Sequence, residues 1–362
     1  MIESKKKSIN YFEYLRVLCI LAVLVIHVSG ANWYRIEIGS RNWVIQTFFN
    51  ICSRFSVCVF CMISGALLLS PTRKTTTRDI YTRYIKRLVI CLISWVIIYG
   101  VIYTLINHEG FNYFLTRLYK HPSHLWYIFM LIGMYLALPV LRAIAKDRKA
   151  TLYMIWLIFA FGTLSCIIST SDFFSTIAGE STGFALWSGI IGKINETSVA
   201  FVPGYLGFFM LGHYIHEYGL GSWHSRIVSA TIPALILSSM LTVWLSSVTD
   251  RYVYTLMLES NPLLFLASAG IFAFFRGEKK ETDENRPLTK TQKVLLWLGS
   301  NTFGVYLVHF AYREILSICF NISVASFNPL LSVPALTLLT YALSLITTVI
   351  LKKIPGVRKI VS

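Results

Sequence analysis

Long apolar runs separated by short polar segments recur along the whole chain, at about 11–32, 43–70, 84–106, 124–145, 151–171, 199–216, 226–248, 256–275, 294–316 and 328–351. Each approaches the roughly 20 apolar residues that a helix needs to cross a hydrocarbon core. The pattern predicts an all-α fold, a polytopic membrane helical bundle of about ten transmembrane helices. Two connections are long. Residues 276–293 are densely charged and read as a flexible cytoplasmic linker. Residues 172–198 mix Ser, Thr and Gly with Phe173, Phe174, Phe184 and Trp187, which suits either a lid on a substrate cavity or an interfacial loop held by aromatic anchors. With no soluble domain and no internal repeat in view, residues 1–362 read as one integral membrane domain.

Composition agrees: 55% of the 362 residues are hydrophobic, 14% are charged, and the mean hydropathy is +0.62. A soluble domain of that make-up could not cover its surface with polar groups. The net charge of +16 would fit a nucleic-acid partner, but its distribution argues for orientation in a membrane. Of 33 Lys and Arg, seven (Arg35, Arg41, Arg117, Lys120, Lys193, Arg251 and Arg313) fall on one side and two (Arg16 and Arg54) inside spans. The other 24 fall in the segments that are cytoplasmic if both termini are. That bias is the positive-inside rule applied loop by loop, so the reading is cytoplasmic termini, contact with membrane lipids and no nucleic acid. The N-terminus has the basic flank and apolar core of a signal peptide. Arg16 and His27 interrupt that core and no small-residue cleavage site follows, so an uncleaved first span is expected. The seven cysteines lie in or beside apolar runs and show no disulfide framework.

Candidate chemistry starts with Arg16 and His27. Eleven helical steps return His27 to within roughly 20° of Arg16, about 16 Å further along the axis. An intramembrane ionisable group costs roughly 2.5–3.5 kcal/mol on insertion scales and usually faces an interior cavity. Arg16 alone could snorkel to the inner headgroups with Glu13 as its partner, and His27 alone could be a packing histidine; one shared face makes both readings less adequate. Arg54 lies about 16 Å into the second span, with Cys58, Cys61 and Gly65 in a small-residue stripe on its face. It suits either an anion or the backbone carbonyls of a neighbouring helix. His124-Leu-Trp126-Tyr127 opens the fourth span, where an aromatic belt would account for Trp126 and Tyr127 without further function. The ninth span carries Asn301, Tyr306 and His309, with His309 at nearly the depth of His27. Three histidines therefore gather in one half of the membrane. No His-x-x-x-His or carboxylate pattern supports zinc, so no metal is expected, and proton transfer or substrate hydrogen bonding is the better use.

Five pieces occur in order across most of the chain: Glu13-Tyr-Leu-Arg16 with ten residues before His27; Ser53-Arg-Phe-Ser-Val57 leading to Phe60-Cys-Met-Ile-Ser-Gly65; His124-Leu-Trp-Tyr127 with Pro139 following; Gly204-Tyr-Leu-Gly-Phe-Phe-Met-Leu-Gly212; and Asn301-Thr-Phe-Gly-Val-Tyr-Leu-Val-His309. Together they resemble the integral membrane acyltransferases of the acyltransferase-3 family. They are most similar to the O-acetyltransferases of bacterial surface polysaccharides and lipid-linked sugars, the enterobacterial-common-antigen type above all. The resemblance implies that His27 acts in acyl transfer, that Arg16 helps hold an acyl donor, usually acetyl-CoA, and that Arg54 lines the same cavity. It also implies a multi-pass protein of the bacterial plasma (inner) membrane. Two departures are Cys58, where the family often has Pro, and Val17, where it often has Gly or Ala; neither removes a proposed chemical group.

On that reading, the donor's phosphates stay at the basic inner face, where Arg16 and the Arg83, Lys86, Arg87 cluster receive them. His27 as general base takes a proton from a sugar hydroxyl arriving from the outer side. Arg54, Tyr306 or Asn301 stabilises the tetrahedral oxyanion, and Glu13, His124, Trp126 and His309 contribute to substrate binding. No permanently bound cofactor is expected; acyl-CoA and a saccharide or lipid-linked saccharide are the partners. The rival class is a transporter passing a small metabolite or amino acid through the same polar cavity, disfavoured because the chain lacks two matching Gly/Pro-broken halves. The acceptor, the acyl length, an acyl-enzyme against direct transfer, and a homo-oligomer against a monomer stay open.

Overall fold

A computed structural model describes residues 10–73, 75–120, 123–178, 204–277 and 288–361, and among them the regular structure is helical throughout, with no strand. The main helices are α1 (Asn10–Ser29), α2 (Arg41–Ser53), α3 (Phe55–Leu68), α4 (Lys86–Ile106), α5 (Phe111–Tyr119), α6 (Trp126–Ala145), α7 (Arg148–Ala178), α8 (Gly204–Tyr218), α9 (His224–Thr249), α10 (Pro262–Arg276), α11 (Lys290–Cys319) and α12 (Pro329–Lys353). Nine helical segments among the described residues are long and apolar enough to cross a membrane. The expected tenth, 199–216, is helical from Gly204 to Tyr218, while 199–203 lie outside the described residues. The loop expected at 172–198 is also corrected in part, since α7 continues through Ala178, while 179–198 lie outside the described residues. Most of the linker expected at 276–293 lies outside them too, and its last residues, from Lys290, begin α11.

The helices are apolar on the outside and polar within. Along α12 the exposed side chains include Leu331, Leu338, Ile346 and Ile350, while Ser332, Thr337, Thr340, Ser344 and Thr348 are buried. In α9, Ile232, Ile236, Met240 and Trp244 face outward, and Ser238, Ser239, Thr242 and Ser246 face inward. In water this arrangement would forfeit about 25 cal/mol for every Å² of apolar surface left exposed. In lipid it is the expected one, because hydrocarbon solvates Leu and Ile and the small hydroxyls allow close helix contact. The protein is a multi-pass membrane protein.

The chain divides into two compact units. The first comprises Met1–Val28, Thr72–Arg142 and Glu284–Ser362, and so holds nearly all of α1 together with α4, α5, α6, α11 and α12. A capping box at Thr76 and Asp79 starts a helical turn that widens to π geometry over Ile80–Ile85 before α4 begins. At the far end of the chain, the turn Arg358–Val361 is pinned to α4: Val361 is fully buried and the Ile360 carbonyl accepts from Trp95 Nε1 at 3.0 Å. Gly304 of α11 makes room for this packing, since a Cβ there would lie 2.2 Å from Thr348 Cγ2.

The second unit comprises Ser29–Pro71 and Ala143–Asp283, with α2, α3, α7, α8, α9 and α10. Its densest packing is α3 on α8, backbone against backbone: a Cβ on Gly65 would lie 1.8 Å from the Phe209 carbonyl oxygen, and one on Gly212 2.1 Å from that of Met62. The span expected at 43–70 is broken between α2 and α3 at Arg54, whose amide bonds the Ile51 carbonyl three residues back. No proline is needed for the break; the guanidinium folds back onto Asn50, with Nε donating to Asn50 Oδ1 at 2.9 Å.

Candidate active site

The first unit brings three imidazoles together. His27 comes from the last turn of α1, His124 from the short 3-10 turn Ser123–Leu125 that leads into α6, and His309 from the middle of α11. Ring centroids of His27 and His309 are 5.1 Å apart, those of His124 and His309 5.2 Å, and those of His27 and His124 6.4 Å. Phe310 stacks on His124 at 4.7 Å and meets His27 edge-on at 5.5 Å, closing one side of the group. Tyr306 closes another, its ring 5.6 Å from His124 and its hydroxyl donating to the His124 carbonyl at 2.5 Å. Among the described residues no group of three or more His, Cys, Asp or Glu is arranged to hold a metal ion, so these rings meet without converging their donors.

Hydrogen bonding sets the state of the group. His309 Nδ1 lies 2.6 Å from the Tyr306 carbonyl, which can only accept, so the neutral ring carries its proton on Nδ1 and a lone pair on Nε2. That Nε2 is buried without a hydrogen-bond partner, as are both ring nitrogens of His124. A buried polar atom left unpaired costs about 1–3 kcal/mol, so three of them on two adjacent rings make a cluster that a hydrogen-bonding group would satisfy.

Arg16 sits lower on the same helix, paired with Glu13 one turn away. The Glu13 carboxylate packs on Gly299 of α11, where any Cβ would lie 2.1 Å from Oε2. Helices α1 and α11 therefore run side by side in the same direction, Glu13 against Gly299 and His27 against His309. Asn301, between those levels, has its amide engaged: Nδ2 donates to the Trp297 carbonyl at 2.7 Å, and Oδ1 accepts from Lys352 Nζ at 2.8 Å. Trp126 is exposed, and its ring lies 6.3 Å from that of Tyr127. Arg54 belongs to the second unit, where it bonds Asn50 and lies 3.7 Å from Met257 Sδ.

A second polar feature of the first unit is a cavity of about 350 Å³ lined by Arg83, Lys86, Arg87, Ile90 and Lys359. Arg83 sits 3.8 Å from Asp79 and is otherwise largely exposed. Four cations around one cavity give it the charge and the hydrogen-bond donors that an anion requires.

Sequence reasoning missed three contributors. Lys359 is about 270 positions from Arg87, and only the docking of the C-terminal turn unites them. Arg313, read from the sequence as one of the seven cations on the non-cytoplasmic side, donates Nη1 to the His27 carbonyl at 3.4 Å, lies 4.0 Å over the Phe310 ring and pairs with Glu314. It thus caps the C-terminal end of α1. Its spacing of four from His309 places both on one face of α11 and was the available signal. Tyr99 gave no signal at all, being one aromatic among many in α4.

A family model described as an acyltransferase domain, that of the acyltransferase-3 family, matches residues 9–349. Searches of curated proteins and of solved structures found no match.

Proposed function

The chain belongs to the acyltransferase-3 family and is a membrane acyltransferase, and we propose that it is an O-acetyltransferase moving an acetyl group from acetyl-CoA to a hydroxyl of a cell-surface saccharide or lipid-linked sugar, of the enterobacterial-common-antigen kind. The observation that carries this reading is the meeting of the His27, His124 and His309 rings, with unpaired nitrogens on His124 and His309, in the same unit as a four-cation cavity. His27 takes the proton of the acceptor hydroxyl as its oxygen adds to the thioester carbonyl. The tetrahedral intermediate then expels the thiolate, which takes that proton from His27, leaving the ester and free CoA. His309, its Nδ1 proton committed to Tyr306, offers Nε2 as an acceptor that orients the hydroxyl. Arg83, Lys86, Arg87 and Lys359 hold the donor's phosphates, with Arg16 further along its path. Tyr306 and Asn301 spend their donors on the His124 and Trp297 carbonyls, so their part is to shape the site.

The test is acetyl transfer by purified protein in proteoliposomes, with acetyl-CoA and a saccharide acceptor. His27→Ala should reduce transfer by about 10²–10⁴-fold while acetyl-CoA still binds. Wild-type transfer by that variant would remove the general-base role; acceptor passage without acylation would replace the enzyme reading by a transporter.

A further inference from the structure

The fully buried Tyr99 hydroxyl of α4 makes two hydrogen bonds to the backbone of α11. It donates to the Leu307 carbonyl at 2.7 Å and accepts from the Ala311 amide at 3.2 Å. Those two groups are an i, i+4 pair, which a regular α-helix joins directly. They also straddle His309. One residue earlier, the Tyr306 carbonyl is taken by His309 Nδ1. Two successive carbonyls of α11, at 306 and 307, are thus drawn to side chains at the turn that carries the imidazole. A side chain reaching into the helical ladder in this way is a recognised cause of a local opening or bend. The Tyr99 ring also packs edge-on against His124 at 5.1 Å.

We propose that Tyr99 is a positioning residue for acyl transfer: its hydroxyl, bonded to both Leu307 and Ala311, fixes the turn of α11 on which His309 sits and so aims Nε2 into the imidazole group. The inference rests on the acyltransferase reading for its kinetic consequence but not for its geometry. Without the hydroxyl the turn loses its anchor to α4, and His309 shifts with it. The ring of a phenylalanine would keep the contact with His124, so Tyr99→Phe isolates the hydroxyl.

The experiment compares wild type, Tyr99→Phe, His309→Gln and the double variant as full chains in nanodiscs. Tyr99→Phe should lower kcat at least tenfold with KM for acetyl-CoA within twofold, and shift the pH profile of kcat. The double variant should be no slower than His309→Gln alone, because a residue acting through His309 has nothing left to position. Additive losses, or a Tyr99→Phe enzyme with wild-type kcat and pH profile, would overturn the proposal. A second readout needs no turnover: ¹⁵N spectra of histidine-labelled protein, with His309 assigned by its absence in His309→Gln, should show a changed His309 resonance in Tyr99→Phe. An unchanged resonance overturns the positioning role even if the wild type proves not to transfer acetyl groups, whereas a changed one in an inactive wild type leaves it standing and removes only the acyltransferase reading.

Discussion

The α3–α8 crossing of the second unit and the imidazole group of the first each contain a buried histidine whose two ring nitrogens make no hydrogen bond. In the crossing it is His213, next to Gly212; in the group it is His124. Around His213 the helices touch through backbone, at Gly65 and Gly212, and its ring meets that of Tyr218 at 6.4 Å. Around His124 stand two more imidazoles, two tyrosines and a phenylalanine, with side chains rather than backbones in contact. An unpaired nitrogen alone therefore does not mark chemistry. What distinguishes the group is that three imidazoles meet ring to ring, where the crossing brings backbone against backbone.

The largest expected effect belongs to the crossing. Gly65→Val would force branched carbon atoms onto the Phe209 carbonyl, and with backbone on both sides neither helix can yield locally. We expect a loss of about 3 kcal/mol or more, read as a fall in the thermal unfolding midpoint in detergent; an unchanged midpoint would mean that the crossing is not close-packed. Next is a contrast between histidines. His309→Gln should lower kcat by about 10²-fold with little change in unfolding midpoint. His213→Gln should leave transfer within about twofold, because His213 is not a member of the imidazole group. Equal kinetic losses in the two variants would erase the distinction between the regions. The smallest effect is expected at the basic cavity. Lys359→Gln should raise KM for acetyl-CoA by about threefold to tenfold, the worth of one exposed charge-assisted contact. The difference from wild type should shrink as salt is raised, and a salt-independent KM would remove Lys359 from donor binding.

Much of the fold was legible because membrane spans are dictated by local composition: nine of the ten apolar runs return as helical segments long enough to cross, and the inward-facing Ser and Thr of α9 and α12 repeat at helical spacing. The interruption at Arg54 was not legible. There the Arg54 amide turns to the Ile51 carbonyl three residues back, with no proline or glycine to announce it. The amphipathic α5 was likewise passed over, being nine residues long and too short to register as a span.

From its sequence alone the protein was committed to helices in lipid, to Arg16 and His27 on one helical face, and to His309 at matching depth, because helical geometry converts residue spacing into angle and height without reference to any neighbour. Which helices lie beside which was decided only in three dimensions. That choice set Gly299 against Glu13, carried Lys359 from the chain's far end to Arg87, turned Arg313 onto the His27 carbonyl, and placed the Tyr99 hydroxyl in the ladder of α11. Such contacts depend on the shapes of two or more packed surfaces at once, and no periodicity along a single strand of sequence encodes them.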